Sequence, residues 1–201
     1  MHLILLVEDL SMESFLRKML RNDPGRSYEI RTFHGKQNLL RKLESRLRGY
    51  AHWLPADHRL IVLVDCDADD CRKLIQKAEK VAGDANLRTY TDSKNAGNKG
   101  GAWQFSVRIA IEELEAWYFG DWQAVCTAYP RAPKNLPRKA PYRKPDEIKN
   151  TWEAFERVLK KRGYFSTGLR KVEAAKKIGA HVDPDRNRSP SFKKFYKIIS
   201  E

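Results

Sequence analysis

The sequence predicts an α/β protein, a parallel sheet flanked by helices and followed by a basic helical extension, and three observations carry that expectation. Two unbroken apolar runs, Leu3 to Val7 and Leu60 to Val64, read as strands buried on both faces. Each leads into a stretch with apolar residues at helical spacing, the alternation of parallel α/β units. Charge is uneven along the chain: residues 1–120 hold 19 Lys+Arg against 17 Asp+Glu, and residues 121–201 hold 20 against 9. Nearly all of the formal net charge of +13 is therefore C-terminal.

The elements follow in order. After the first strand, Phe15, Leu16, Met19 and Leu20 share a helical face that starts at a Ser11 cap and stops near Asp23, Pro24 and Gly25. Tyr28 to Phe33 reads as a second strand, and Lys36 to Arg48 as a helix burying Leu39, Leu40, Leu43 and Leu47. The strand from Leu60 to Val64 is followed by a helix over about 70–82, and Leu87 to Thr91 reads as a short fourth strand. Asp92 to Gly101, DSKNAGNKGG, has little that can enter a core and reads as a mobile loop. The stretch Trp103 to Phe119 is expected to be helical in its second half. Residues 129–145 hold five prolines among six basic residues and read as extended and irregular. Helices are expected over Asp146 to Arg162, Leu169 to Ile178 and Ser191 to Ile199. The organisation predicted is an α/β domain over 1–121 and a basic helical extension over 122–201 packed on it.

A basic surface favours a polyanion, foremost nucleic acid. Three cysteines, Cys66, Cys71 and Cys126, have no metal-ligand spacing, and the first apolar run is too short for a signal segment. No apolar run approaches the roughly 20 residues of a membrane helix. The expectation is a soluble cytoplasmic protein with no membrane role; a homo-oligomer is compatible with it.

Within this basic chain, carboxylates crowd at two strand ends, Glu8 after the first and Asp65 and Asp67 after the third. Open parallel sheets bind ligands at that edge. Three carboxylates brought together repel unless a cation holds them, and Mg²⁺ or Mn²⁺ suits such hard oxygen ligands while leaving positions for water and phosphate. Asp69 and Asp70 are also placed to cap the following helix. An EF-hand loop beginning at Asp65 fails, because its sixth position is Asp70 instead of Gly and its twelfth Gln76 instead of Glu. A haloacid-dehalogenase phosphatase wants Thr where Asp69 stands. A response-regulator receiver accounts for Glu8, Asp9 and Asp65 but has no use for Asp67.

Four stretches carry a family resemblance: VEDLSMESFL (7–16), LVDCDADDC (63–71), RIAIEELEAWYFGD (108–121) and KVEAAKKIGAHVDPDRNRSPSFKKF (171–195). In this order they resemble DUF4276 proteins, which are similar to the Toprim parts of the overcoming-lysogenization-defect nucleases and of RloB-like proteins. The resemblance implies a Toprim/Rossmann-like sheet and a metal-dependent nuclease with Glu8, Asp65 and Asp67 as catalytic metal ligands. Such proteins resemble antiphage effectors that act with a separate ABC-type ATPase, and this sequence has no nucleotide-binding loop of its own. Asp9 replaces the family's usual Gly, and Met12 stands where a second Glu is common. Glu13 would do that work from a position rotated by about 100° around the helix.

Further candidates are Asp69 and Glu112 as metal ligands and Glu115 as a catalytic carboxylate, with Glu112 and Glu115 three apart on one helical face. Lys99 is a candidate for stabilising the phosphate, and Lys94 and Lys99 for contacting nucleic acid from the loop. Arg186, Arg188, Lys193 and Lys194 are candidate phosphate contacts from the C-terminal extension. Trp117 is expected in the core. The alternative function is a degenerate Toprim module that binds nucleic acid or a partner without cutting; a receiver-like domain ranks below both.

Overall fold

The computed structural model describes residues 1–21, 27–67, 69–97 and 102–201. Among the described residues, four strands form one sheet in the order β2-β1-β3-β4: β1 (His2–Val7), β2 (Ser27–Thr32), β3 (His58–Asp65) and β4 (Phe105–Ala110). β1 runs parallel to β2, with Leu5 opposite Ile30, and parallel to β3, with Val7 opposite Leu63. The apolar runs occupy the two central strands, and Leu3 to Val7 and Leu60 to Val64 are buried throughout. The expected α/β class, a parallel sheet with helices, is the one observed.

By contacts the chain groups into two compact units. The first comprises Met1–Asp9, Gly25–Val64 and Asp69–Arg108. Here α2 (Lys36–Ala51) buries Leu39, Leu43 and Leu47, an i, i+4, i+8 stripe, and packs against α3 (Cys71–Asp84). Asp70 caps α3, accepting from the backbone N–H of Arg72 at 2.9 Å and of Lys73 at 3.2 Å. Those bonds, the Lys73 one foremost, hold its carboxyl below the usual carboxylate range.

The fourth strand differs from expectation. Leu87 to Thr91 does not form a strand: Thr89 makes a single parallel bridge to Phe105 and then caps α4 (Tyr90–Asn95). A capping box decides this, with Thr89 Oγ1 accepting from the Asp92 N–H at 3.0 Å and the Asp92 carboxylate accepting from the Thr89 N–H at 3.3 Å. Part of the expected 92–101 loop is thereby helical, and its residues 98–101 lie outside those described. The strand falls instead on FSVRIA, where Ser106 and Arg108 interrupt the apolar run.

The second unit comprises Leu10–Pro24, Asp65–Ala68 and Ile109–Glu201. It contains α1 (Leu10–Leu20), α5 (Glu115–Gly120), α6 (Trp122–Ala128), α7 (Thr151–Lys160), α8 (Lys171–Gly179) and α9 (Pro190–Ser200). α1 groups with this second unit, and its main contact is with α8. Gly179 permits that approach, since a Cβ there would sit 2.6 Å from the Phe15 carbonyl oxygen. Ser11 is buried inside the first turn of α1 and does not precede it as a cap. The proline-rich stretch forms short 3-10 turns at Leu136–Arg138, Ala140–Tyr142 and Pro145–Glu147. α7 consequently begins at Thr151 and not near Asp146.

The core of this unit is aromatic. Trp117 stacks on Phe195 with centroids 5.2 Å apart, meets Phe192 edge-on at 5.2 Å and lies 5.9 Å from Phe15, while Phe119 stacks on Trp122 at 5.4 Å. Among the described residues, no helix is long and apolar enough to cross a membrane.

Candidate functional site

β1 and β3 end beside one another in the sheet, and the chain runs from Val7 into Glu8 and from Val64 into Asp65. The Glu8 carbonyl accepts from the Gly35 N–H at 2.8 Å, which fixes the backbone where β1 ends. Beyond β3, the Cys66 N–H donates to the Ala110 carbonyl at 2.9 Å and the Asp67 N–H to the Glu112 carbonyl at 3.0 Å. This carries the 65–67 segment alongside 110–112. Asp67 sits in the left-handed region, φ 50°, a conformation that Asp tolerates better than most residues, and its side chain is exposed.

The other candidate carboxylates have structural partners. Glu13 pairs with Arg17 at 2.7 Å along one face of α1, and Met12 beside it is 0% exposed. Asp69 pairs with Lys36 at 2.6 Å. Glu112 precedes α5 and does not share a helical face with Glu115. Its carboxylate accepts from the Asn150 N–H at 2.6 Å and faces Lys149 at 3.5 Å. Glu115 opens α5 and is 1% exposed, so it is no solvated acidic face.

Among the basic candidates, Lys94 lies on α4 with its ammonium 5.2 Å from the Tyr90 ring, and Lys99 lies outside the described residues. Lys193 and Lys194 are exposed on α9, and the Arg188 side chain is exposed. Arg186 is different. Its Nε and Nη2 donate to the two oxygens of buried Asp121 at 2.6 and 2.8 Å, and Nη1 reaches Asp183 at 3.3 Å. Asp121 raises the guanidinium pKa above its ordinary value. Arg186 is thus a bidentate internal tie.

Several residues with large structural roles were not singled out from the sequence. Glu113 Oε2 accepts from Thr151 Oγ1 at 2.7 Å and from the Trp152 N–H at 3.0 Å, anchoring the start of α7. Asp146 accepts from Ser189 Oγ at 2.5 Å and from the Ser191 N–H at 2.7 Å. Ser191 Oγ accepts from Trp117 Nε1 at 2.9 Å, and Asn187 Nδ2 donates to the Trp117 carbonyl at 3.0 Å. The Ser-Pro-Ser-Phe segment therefore fastens α9 to Trp117. One signal for this was present: Ser followed by Pro is a cap-and-first-turn pattern, and Ser189 does accept from the Phe192 N–H at 3.1 Å.

The family model described as "Domain of unknown function (DUF4276)" matches residues 7–200. The chain belongs to the DUF4276 family. Among solved structures, this DUF4276 chain is similar to the C-terminal region of the Burkholderia pseudomallei OLD protein, with 14% identity, coverage of 98% of this chain and 96% of that one, and a TM-score of 0.50. It also matches the C-terminal region of the Xanthomonas campestris pv. campestris OLD protein at 13% identity, covering 96% and 90% of the two chains with a TM-score of 0.45. The first likeness is one of fold. No curated protein matches the DUF4276 chain. Among its described residues, no group of three His, Cys, Asp or Glu side chains is gathered as a metal cage.

Proposed function

We propose that the chain is a Toprim-type nuclease that hydrolyses phosphodiesters of DNA or RNA with Mg²⁺ or Mn²⁺ held by Glu8, Asp65 and Asp67. The observation that supports this most is the strand order with its register. In the order β2-β1-β3-β4, the connections leave β1 and β3 in opposite directions, and such a switch point is where open α/β sheets take ligands. With Val7 opposite Leu63, Glu8 directly follows the end of β1 and Asp65 is the last residue of β3, two positions beyond Leu63, so the two carboxylates stand at the same edge of the sheet.

The donor chemistry fits a hard cation: carboxylate oxygens only, with Asp67 exposed on a turn. Mg²⁺ needs one or two carboxylates and otherwise takes water and phosphate, so a ready-made cage of three is not required. When bound, the ion would supply Lewis acidity to the scissile phosphate and lower the pKa of the attacking water. The residues do the rest. Glu8, Asp65 and Asp67 orient, buried Glu115 is the carboxylate assigned to accept a proton, and Lys99 neutralises developing charge. Lys94, Arg188, Lys193 and Lys194 hold the nucleic acid. Glu13, Asp69 and Glu112 are the reserve for a second ion, and their ion pairs with Arg17, Lys36 and Lys149 weigh against it. Arg186, tied to Asp121, contributes by holding Arg188's segment. The family resemblance supports an antiphage role with a separate ABC-type ATPase.

A second reading has one specific observation in its favour. Met12 is fully buried where the family commonly has Glu, which suits a binding module that has lost catalysis. Cleavage of plasmid DNA, single-stranded DNA and transfer RNA with Mg²⁺ or Mn²⁺, with and without the ATPase, separates the two. The nuclease reading expects cutting by the wild type and none by Asp65→Ala plus Asp67→Ala. Equal binding by both, with no cutting under any condition, selects the binding module.

A further inference from the structure

A cavity of about 510 Å³ opens beside the edge strand β2 and helix α2, lined wholly by residues between Leu6 and Trp53. Helix periodicity builds it. While Leu39, Leu43 and Leu47 face the core, Lys42, Arg46 and Tyr50 form the neighbouring i, i+4, i+8 stripe and line the cavity. Gly49 is also in the lining, and a Cβ there would meet nothing within 4 Å.

Two properties coexist in this cavity. The first is an aromatic shelf. Trp53 follows α2 and is 59% exposed, the most exposed of the large hydrophobic side chains described. Its ring lies 5.4 Å from that of Tyr50, and the N–H groups of Trp53 and Leu54 both donate to the Tyr50 carbonyl, at 3.0 and 2.8 Å. An exposed indole at the cavity rim offers a flat apolar face with a polar N–H on its edge.

The second property is uncompensated positive charge. Among the described residues Lys42 and Arg46 have no carboxylate partner, because Glu44 on the same helix is bound by Arg48 at 3.0 Å. Arg31 reaches in from β2 with its Nε on Glu29. Arg31, Arg46 and Tyr50 all line the cavity, so its cationic groups and its aromatic shelf share one space. An apolar ligand would leave the cations unused, and a simple anion would leave the shelf unused. A flat base with its phosphate uses both.

We infer that this cavity binds a nucleotide unit, the base stacked on Trp53 over Tyr50 and the phosphate held by Lys42 and Arg46. The same chemistry is offered by a free mononucleotide and by an unpaired nucleotide of a single strand; paired bases in a duplex cannot present a face to Trp53. The site needs no metal and stands apart from the carboxylates proposed for catalysis.

The test is made on the full chain in EDTA, so that no cleavage intervenes and failure here leaves the nuclease reading to its own assay. A labelled oligothymidylate is titrated, with tryptophan emission and label anisotropy read together, and thymidine monophosphate is added as competitor. Binding is expected to quench emission, and Trp53→Ala to remove most of the quench while weakening affinity roughly ten-fold. Lys42→Glu plus Arg46→Glu is expected to weaken it at least as much and to flatten its salt dependence, roughly by the loss of two phosphate contacts. Lys77→Glu plus Lys80→Glu, the same charge change on exposed positions of α3, is expected to have little effect. Competition by the monophosphate assigns the site to free nucleotides as well; its failure, with the oligonucleotide bound, assigns it to strands. Wild-type affinity in both Trp53→Ala and Lys42→Glu plus Arg46→Glu, or duplex DNA binding as tightly as the single strand with the same dependence on these residues, overturns the inference.

Discussion

Asp121 receives two guanidinium nitrogens of Arg186, one on each carboxylate oxygen, and also accepts from the backbone N–H of Ala124 and Asp183. Four donors thus satisfy a buried carboxylate, and removing one partner leaves polar atoms buried without compensation. Arg186→Ala is expected to destabilise the protein by about 2 kcal/mol or more, below the roughly 3–5 kcal/mol of a fully buried pair because 34% of the Arg186 side chain is exposed. Arg186→Lys should recover only part of it, since an ammonium cannot make the bidentate pair. Urea unfolding measures both.

The Ser191 hydroxyl is the acceptor for the indole N–H of Trp117, a ring packed against Phe192, Phe195 and Phe15. Ser191→Ala leaves that donor buried without a partner and should cost about 1–3 kcal/mol. Trp117→Phe in the Ser191→Ala background removes the unsatisfied N–H. The double variant should therefore lose less than the sum of the two single changes, which a double-mutant cycle reads directly.

Two glycines should respond to alanine with opposite signs. At Gly179 a Cβ meets the Phe15 backbone at 2.6 Å, so the α1–α8 contact must open, at a cost of about 1–3 kcal/mol. At Gly83, in α3, a Cβ meets nothing within 4 Å, and alanine should stabilise by roughly 0.5–1 kcal/mol through helix propensity. Thermal unfolding of the pair checks the helix packing without touching the candidate site.

Burial pushes the Cys126 thiol up from its ordinary value, with Lys134 pulling weakly the other way. Less thiolate is present at pH 8 than in a free cysteine, so alkylation there should be slower than that of a model thiol and should keep rising above pH 9. Mass spectrometry of the Cys126 peptide after timed iodoacetamide treatment reads this site alone. A rate at pH 8 equal to the model thiol would contradict it.

How far the sequence spoke depended on whether an interaction is local. Leu3 to Val7 and Leu60 to Val64 announced the central strands because burial on both faces is written in consecutive residues. The Leu39, Leu43, Leu47 stripe announced α2 in the same way. Leu87 to Thr91 misled, because a short apolar run cannot be told from a helix approach until the Thr89–Asp92 capping box is weighed. Most opaque were ties across long separations. Nothing near Asp146 indicates that Ser189 and Ser191 will claim its carboxylate, nor does anything near Glu113 indicate the start of α7. Charge summed over halves of the chain is insensitive to Lys42 and Arg46, whose weight comes from having no local acidic partner. For the candidate site, the strand-end positions of Glu8 and Asp65 were legible, whereas the ion pairs of Glu13, Asp69 and Glu112 were not.

Mn²⁺ titration followed by electron paramagnetic resonance decides whether Glu8, Asp65 and Asp67 serve one divalent ion. Wild-type protein is expected to deplete the free Mn²⁺ signal in a manner Mg²⁺ reverses, and Glu8→Gln, Asp65→Asn and Asp67→Asn are each expected to weaken binding roughly ten-fold or more. Unchanged Mn²⁺ binding in all three variants would contradict it.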